Sequence, residues 1–162
     1  MKVKLNILTD FLSRGSGPVR AGLIFAEKEA TTKVQQFNEP AIGMSSDGTL
    51  HGKRTDANGY TFLEITLFGS PNVHSVKGCS LTFQGARGKI SCKSDSKDIK
   101  SIYSDTLRKG ITTFEIYLDD VLLESLRNRV TSVEISFPRR IFGKQQFMFS
   151  IQPSQFSKLL VK

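Results

Sequence analysis

Residues 60–68 read YTFLEITLF, and this stretch decides the fold class. Apolar side chains alternate with others along it, which is the pattern of a β-strand with one buried face. The face expected in the core carries Leu63, Ile65 and Leu67. The opposite face carries two aromatic rings, those of Tyr60 and Phe62. One strand therefore combines a core face with an aromatic face.

The same alternation recurs outward from this strand in both directions. The further segments that show it are residues 3–7 (Val3, Leu5, Ile7), 79–84, 89–92, 112–118, 133–137 and 147–151. Residues 19–26 form a short apolar run rich in strand formers, which we also interpret as strand. Residues 43–59, with four glycines and few apolar side chains, are interpreted as a long loop between two strands.

Helix is predicted at only two places. Residues 119–129 (DDVLLESLRNR) open with aspartates that can cap a helix and close with arginines that suit its dipole. Residues 154–162 (SQFSKLLVK) predict a C-terminal helical turn that docks Phe156, Leu159 and Leu160. The sequence thus predicts a mainly β domain, either an antiparallel OB-like barrel or a β-sandwich, with one short helix and this final turn.

Length and charge limit the class of protein. The 162 residues suit one domain, and no repeat or linker divides the chain. Lysine and arginine outnumber aspartate and glutamate by 23 to 15, and the resulting net charge of +8 favours polyanionic partners. Solubility is the alternative explanation of this charge. With no signal-like start and no long apolar stretch, we expect a cytoplasmic protein without a membrane partner.

Metal and disulfide chemistry are not expected. His51, His74, Cys79 and Cys92 lack the paired spacing of structural zinc sites. A hairpin over residues 79–94 would place Leu81 opposite Cys92, which leaves the two cysteines two positions out of register and too far apart for a disulfide. We therefore predict two reduced thiols and no cofactor.

Catalytic motifs are absent from the sequence. It contains no Walker, GxSxG or HExxH pattern, so we do not expect an enzyme. The acidic residues that a metal-dependent nuclease could use are Asp56, Asp95 and Asp98. This nuclease is the second alternative function.

Basic residues interleaved with aromatic ones are the most informative feature. Lys53 and Arg54 precede Tyr60 and Phe62 by a few residues, and bases stack on such rings at about 1–3 kcal/mol each. Two further basic turns carry Arg87, Lys89 and Lys93 in one case and Arg139 and Arg140 in the other. The candidate nucleic-acid-binding residues are Lys53, Arg54, Tyr60, Phe62, Arg87, Lys89, Lys93, Arg139 and Arg140. The alternative is that both faces of the sheet are covered and the rings belong to the core.

One segment, residues 62–93, resembles the bacterial single-stranded-DNA-binding protein family, which has an OB-fold. The matching residues are LFG at 67–69, KG at 77–78, QG at 84–85 and Arg87. The resemblance implies an OB-like barrel that binds single-stranded DNA, with residues 43–59 in the place of a long DNA-contacting hairpin loop. The chain departs from the family by having no tryptophan and by ending in LLVK.

The leading hypothesis is a non-catalytic protein that binds single-stranded nucleic acid, DNA in preference to RNA. The first alternative is a β-rich protein-interaction or assembly module, such as a subunit of an oligomer or particle or an inhibitor of another protein. Its aromatic content and edge strands would suit pairing with a second chain, including a second copy of itself.

Overall fold

The structure is a computed structural model that describes residues 18–161. The strand predicted at residues 3–7 lies outside this range. The helices are α1 (Pro18–Gln36), α2 (Asp120–Leu126) and α3 (Pro153–Leu160). The strands are β1 (Ala41–Met44), β2 (Gly48–Ala57), β3 (Tyr60–Gly69), β4 (His74–Ser75), β5 (Ser80–Gly85), β6 (Gly88–Lys93), β7 (Ile99–Lys100), β8 (Ile102–Ser104), β9 (Lys109–Tyr117), β10 (Ser132–Pro138) and β11 (Lys144–Ile151).

Nine strands form one antiparallel sheet in the order β6-β5-β10-β11-β1-β2-β3-β9-β8, and β4 pairs with β7 separately. The two ends of the large sheet approach each other just after β6. There the Asp95 amide donates to the Glu115 carbonyl at 2.8 Å, and the Glu115 amide donates to Ser96 Oγ at 3.0 Å. The predicted mainly β, antiparallel architecture is confirmed, with a sandwich- or barrel-like closure.

The core forms where the inner faces of the sheet meet. The alternating residues of β3 predicted to be buried are all at most 1 % exposed. Phe114 of β9 and Phe137 of β10 meet edge to face, with their ring centroids 5.8 Å apart. Because these strands lie far apart in the sheet order, this contact joins its two sides across the core.

The loop predicted at residues 43–59 is wrong, because most of this segment is β2. All ten residues of β2 pair with β3, from Gly48 opposite Gly69 to Ala57 opposite Tyr60. Asn58 and Gly59 form the two-residue turn with φ values of 52° and 81°. Two positive φ angles are the geometry of the hairpin turns that Asn-Gly favours, so this dipeptide was the signal for a hairpin.

The strand predicted at residues 19–26 is also wrong, because this run lies in α1. The helix begins at Pro18, a residue preorganised for the first helical position. Ala30 and Val34, one turn apart, are buried where the second half of the helix packs on the sheet. Periodicity cannot distinguish a strand from a helix in a short apolar run. The helix formers that follow this run therefore decide its structure.

Both predicted helices are confirmed. Asp119 caps α2 by accepting a hydrogen bond from the Leu122 amide at 2.7 Å. In α3, Phe156 and Leu160 are buried and Leu159 packs against the core. None of the helices within residues 18–161 has the length and apolarity needed to cross a bilayer.

Candidate nucleic-acid interface

The outer face of β2, β3 and β9 is half covered and half open. At one end Phe37, just after α1, stacks on Phe68 with centroids 4.7 Å apart and contacts the buried His51 edge to face. At the other end, near the Asn58–Gly59 turn, Tyr60 is 55 % exposed. The face is therefore neither fully exposed nor fully covered, and the half that carries the predicted rings is open.

Three aromatic side chains form a cluster on the open half, which we call the ring cluster: Tyr60, Phe62 and Tyr117. Tyr117 lies opposite Phe62 in the β3–β9 register. Its ring centroid is 5.7 Å from that of Phe62 and 5.8 Å from that of Tyr60. Phe62 is half-buried, whereas Tyr60 and Tyr117 present their rings to solvent. The cluster offers adjacent apolar surfaces on one rigid sheet.

Tyr117 is the member that sequence reasoning missed. The alternation along β9 buries Phe114, Ile116 and Leu118, which places Tyr117 on the outer side. That signal was present in the sequence, but the pairing of β9 with β3 was not. The register between these strands is what brings Tyr117 to the two predicted rings.

Lys53 is exposed and lies on the same face as the ring cluster. It is opposite Glu64 on β3, and its neighbour Thr55 is opposite Phe62. Glu64 in turn lies opposite Glu115 on β9. Two carboxylates and a lysine therefore adjoin the rings, and these carboxylates oppose the approach of a phosphate.

Arg54 lies on the opposite, inner face of β2, away from the rings. Its side chain is 10 % exposed, and its Nη1 donates to the Leu160 carbonyl at the end of α3 at 2.7 Å. Its Nη2 also lies 3.2 Å from Asp56 Oδ1. The structure thus separates Arg54 from the predicted site and gives it a contact with the end of α3.

Lys93 lies close to the point where the sheet closes on β9. Two residues beyond it, the carboxylate of Asp95 accepts a hydrogen bond from the Tyr117 amide. The Asp95 amide also donates to the Glu115 carbonyl, so this segment lies against β9 beside Tyr117. Lys93 is exposed and lies opposite Ser80 of β5, which in turn lies opposite Ser136 of β10.

Arg87 and Lys89 lie at the far end of β6 from Lys93. Arg87 belongs to the turn between Gly85 and Gly88, near the carbonyl of Asn128. Five strand residues separate this turn from Lys93, a distance of about 17 Å at the usual rise of 3.4 Å per residue. The hairpin register itself, with Leu81 opposite Cys92, is as predicted.

Along β11, β1 and β2, Arg139 and Arg140 lie at the opposite end of the sheet from the ring cluster. They follow Pro138, which pairs with Lys144 at the closed end of the β10–β11 hairpin. The other end of β11, at Ile151, aligns with the start of β2, and β2 then runs onward to the Asn58–Gly59 turn. The turn that carries Arg87 aligns with the other end of β10, since Gln84 lies opposite Ser132, whereas Lys93 aligns through Ser80 with Ser136, near Pro138.

Some of the residues considered for metal and redox chemistry come together in pairs: His74 Nε2 lies 3.7 Å from Asp98 Oδ1, and Cys79 neighbours Cys92. Within residues 18–161 no three His, Cys, Asp or Glu side chains come close enough to hold a metal ion. Cys79 and Cys92 are free thiols. Burial raises the pKa of Cys79 to about 11, and burial with the neighbouring Cys79 and Asp95 raises that of Cys92 to about 12. Both groups are thus held as thiols near neutral pH.

Comparison with known proteins gives no relative: no protein-family model, no curated protein and no solved structure matches the chain.

Proposed function

We propose that the protein binds single-stranded nucleic acid, without catalysis, on the outer face of β3 and β9. The observation that carries this proposal is the solvent-facing ring cluster of Tyr60, Phe62 and Tyr117. Every base has an apolar face that can stack on such rings, so the interaction tolerates any sequence.

Phosphate contacts come from the cations that flank the rings. Lys53 lies on the β2 side and Lys93 on the side where the sheet closes. Each phosphate that these lysines neutralise releases counterions, so the affinity falls with salt. Arg87 and Lys89 lie farther along β6 and would contact a longer oligonucleotide.

DNA is the preferred ligand because of the resemblance of residues 62–93 to the single-stranded-DNA-binding family. An OB-fold barrel has five strands, whereas the large sheet here has nine within the described residues. The proposal therefore rests on the ring cluster and takes only the choice of DNA from the resemblance. We place this activity in the cytoplasm, where Cys79 and Cys92 stay reduced.

The test is a fluorescence-anisotropy titration with single-stranded DNA, single-stranded RNA and duplex DNA at two salt concentrations. Tyr117→Ala should weaken single-strand binding about tenfold with the salt slope retained, since it removes stacking and no charge. Lys53→Ala should reduce the log–log salt slope by about 0.7, the value for one phosphate.

The matched control is Phe142→Ala, which removes an exposed ring in the turn between β10 and β11. It should leave single-strand affinity unchanged. Weak binding at low salt that none of these substitutions alters would refute the proposal.

A protein-interaction or assembly module is the second candidate, and α1 favours it. Leu23, Ile24 and Phe25 are all more than half exposed in the first half of this helix. Association through a sheet edge is less favoured, because α1 packs against the edge strand β8. Sedimentation mass with and without an oligonucleotide separates the candidates: the second predicts an oligomer or complex that Phe25→Ser disrupts.

A further inference from the structure

The turn between β10 and β11 presents the two most exposed large apolar side chains of the described residues. Ile141 is 82 % exposed and Phe142 is 84 % exposed. The turn is an ordered feature, since the Arg139 amide donates to the Gly143 carbonyl at 3.0 Å and Gly143 adopts a φ of 70°. We call residues 139–144, RRIFGK, the basic tip.

Three cations flank these apolar side chains: Arg139, Arg140 and Lys144, all exposed. None of them takes part in the ion pairs found among residues 18–161. Lys144 lies in the last strand pair, opposite Pro138, whereas Ile141 and Phe142 occupy the middle of the turn. The chain thus places its apolar residues farthest from the strands and its cations around and behind them.

This order matches the layers of an anionic lipid surface. Apolar side chains bury their surface at the boundary of the acyl chains, and cations remain at the level of the lipid phosphates. We propose that the basic tip binds anionic membrane surfaces by inserting Ile141 and Phe142 between the headgroups. This goes beyond the proposed function, and it revises the expectation that the protein has no membrane partner.

A nucleic acid is a weaker fit to the same tip. Apolar wedges do enter between the base steps of a duplex, but each wedge unstacks a step at a cost of about a few kcal/mol, which a lipid surface does not impose. A uniform apolar layer with surrounding phosphates meets the needs of all five side chains of the tip.

The experiment uses the absence of tryptophan from the chain. Phe142→Trp places a single tryptophan at the apex of the tip, and Val121→Trp places one on α2, where Val121 is 77 % exposed. Both are titrated with vesicles of phosphatidylcholine alone and of phosphatidylcholine with phosphatidylserine. An unchanged urea midpoint first establishes that each variant is folded.

With anionic vesicles we expect the emission of Phe142→Trp to shift to the blue and its quenching by acrylamide to fall. Neutral vesicles should have little effect, and Val121→Trp should respond to neither. In the Phe142→Trp protein, Ile141→Ser should weaken binding about tenfold, the loss expected for one buried aliphatic side chain. Arg140→Ala should weaken binding and make it less sensitive to salt.

Three outcomes would overturn the proposal. The first is no spectral shift with anionic vesicles, and the second is an equal shift of Val121→Trp. The third is a shift of Phe142→Trp on adding duplex DNA or on raising the protein concentration, without any shift on vesicles; this result would assign the tip to DNA or to a second copy of the chain. Oligonucleotide binding by the ring cluster is measured separately, so failure here leaves the proposed function standing.

Discussion

Phe62 and Tyr117 lie directly opposite each other on β3 and β9, with their ring centroids 5.7 Å apart. Tyr117 also contacts Tyr60, so it links both predicted rings. Aromatic pairs contribute about 0.5–1.5 kcal/mol beyond their buried area, which helps to hold the rings in a fixed arrangement. A ligand therefore meets a preorganised surface.

Removal of the carboxylates beside the rings should strengthen single-strand binding. Glu64 and Glu115 lie on the same face as the ring cluster, and each repels a phosphate nearby. Glu64→Gln should raise the affinity about two- to threefold at low salt, a gain that vanishes as salt screens the charge. Glu134→Gln, on the outer face of β10, is the control and should change little. An unaltered affinity of Glu64→Gln would show that the bound nucleic acid does not pass over β3.

Arg54 should contribute to stability and not to ligand binding. Arg54→Ala removes the hydrogen bond to the Leu160 carbonyl and the contact with Asp56, which should cost about 1.5–3 kcal/mol in urea unfolding. Lys53→Ala on the same strand removes an exposed side chain and should cost less than about 0.5 kcal/mol. The salt slope of oligonucleotide binding should respond in the opposite way, unchanged in Arg54→Ala and reduced in Lys53→Ala.

Glu27 should make the docking of α1 sensitive to acid. The Thr106 amide and hydroxyl, with Ser104 Oγ and the Asp105 amide, donate to its carboxylate and lower its pKa from 4.5 to about 2. Because these bonds favour the charged form, their stabilisation is complete above pH 4.5 and disappears as the pH falls towards 2.

The measurement for Glu27 is the urea midpoint as a function of pH. The wild-type midpoint should fall between pH 4.5 and 2 by more than that of Glu27→Gln, whose amide does not titrate. Glu29→Gln, on the same helix, is the control: it removes only a surface ion pair with Lys33 and should keep the wild-type pH profile. Identical profiles for wild type and Glu27→Gln would contradict the prediction.

Gly59 and Gly22 form a matched pair of glycines with opposite expected effects. Gly59→Ala forces an L side chain into a φ of 81° and should destabilise the protein by about 1–2 kcal/mol. Gly22→Ala lies in α1 with open space at the added Cβ and should stabilise the helix by about 0.5–1 kcal/mol. Urea unfolding of the two variants measures both effects, and a neutral Gly59→Ala would argue against the assigned turn.

The sequence predicts those parts of the fold in which local pattern and burial agree. The alternation of β3, the hairpin of β5 with β6 and the cap of α2 are each specified by residues within or next to the element itself. β2 was not predicted as a strand, because its inner face has Gly52 and Arg54 where large apolar residues are expected. The space at Gly52 is filled by α3, since a Cβ there would lie 2.7 Å from Leu159 Cδ1.

The candidate site could be predicted only in part, for a related reason. The outward position of Tyr60 and Phe62 follows from the alternation of one strand. The position of Tyr117 beside them depends on pairing between distant segments, which no local pattern encodes. The position of Arg139 and Arg140 relative to the rings likewise depends on the order of the strands in the sheet.

The turn at Asn58 and Gly59 also bears on the order in which the molecule folds. Its two residues bring together the two longest strands, so the first pairs of β2 with β3 cost little chain entropy. The pairing of β1 with β11 and the contact of Asp95 with Glu115 join segments that are more distant along the chain. This hairpin is thus suited to nucleate folding, while the joining of the sheet's two ends is suited to be a late, rate-limiting event.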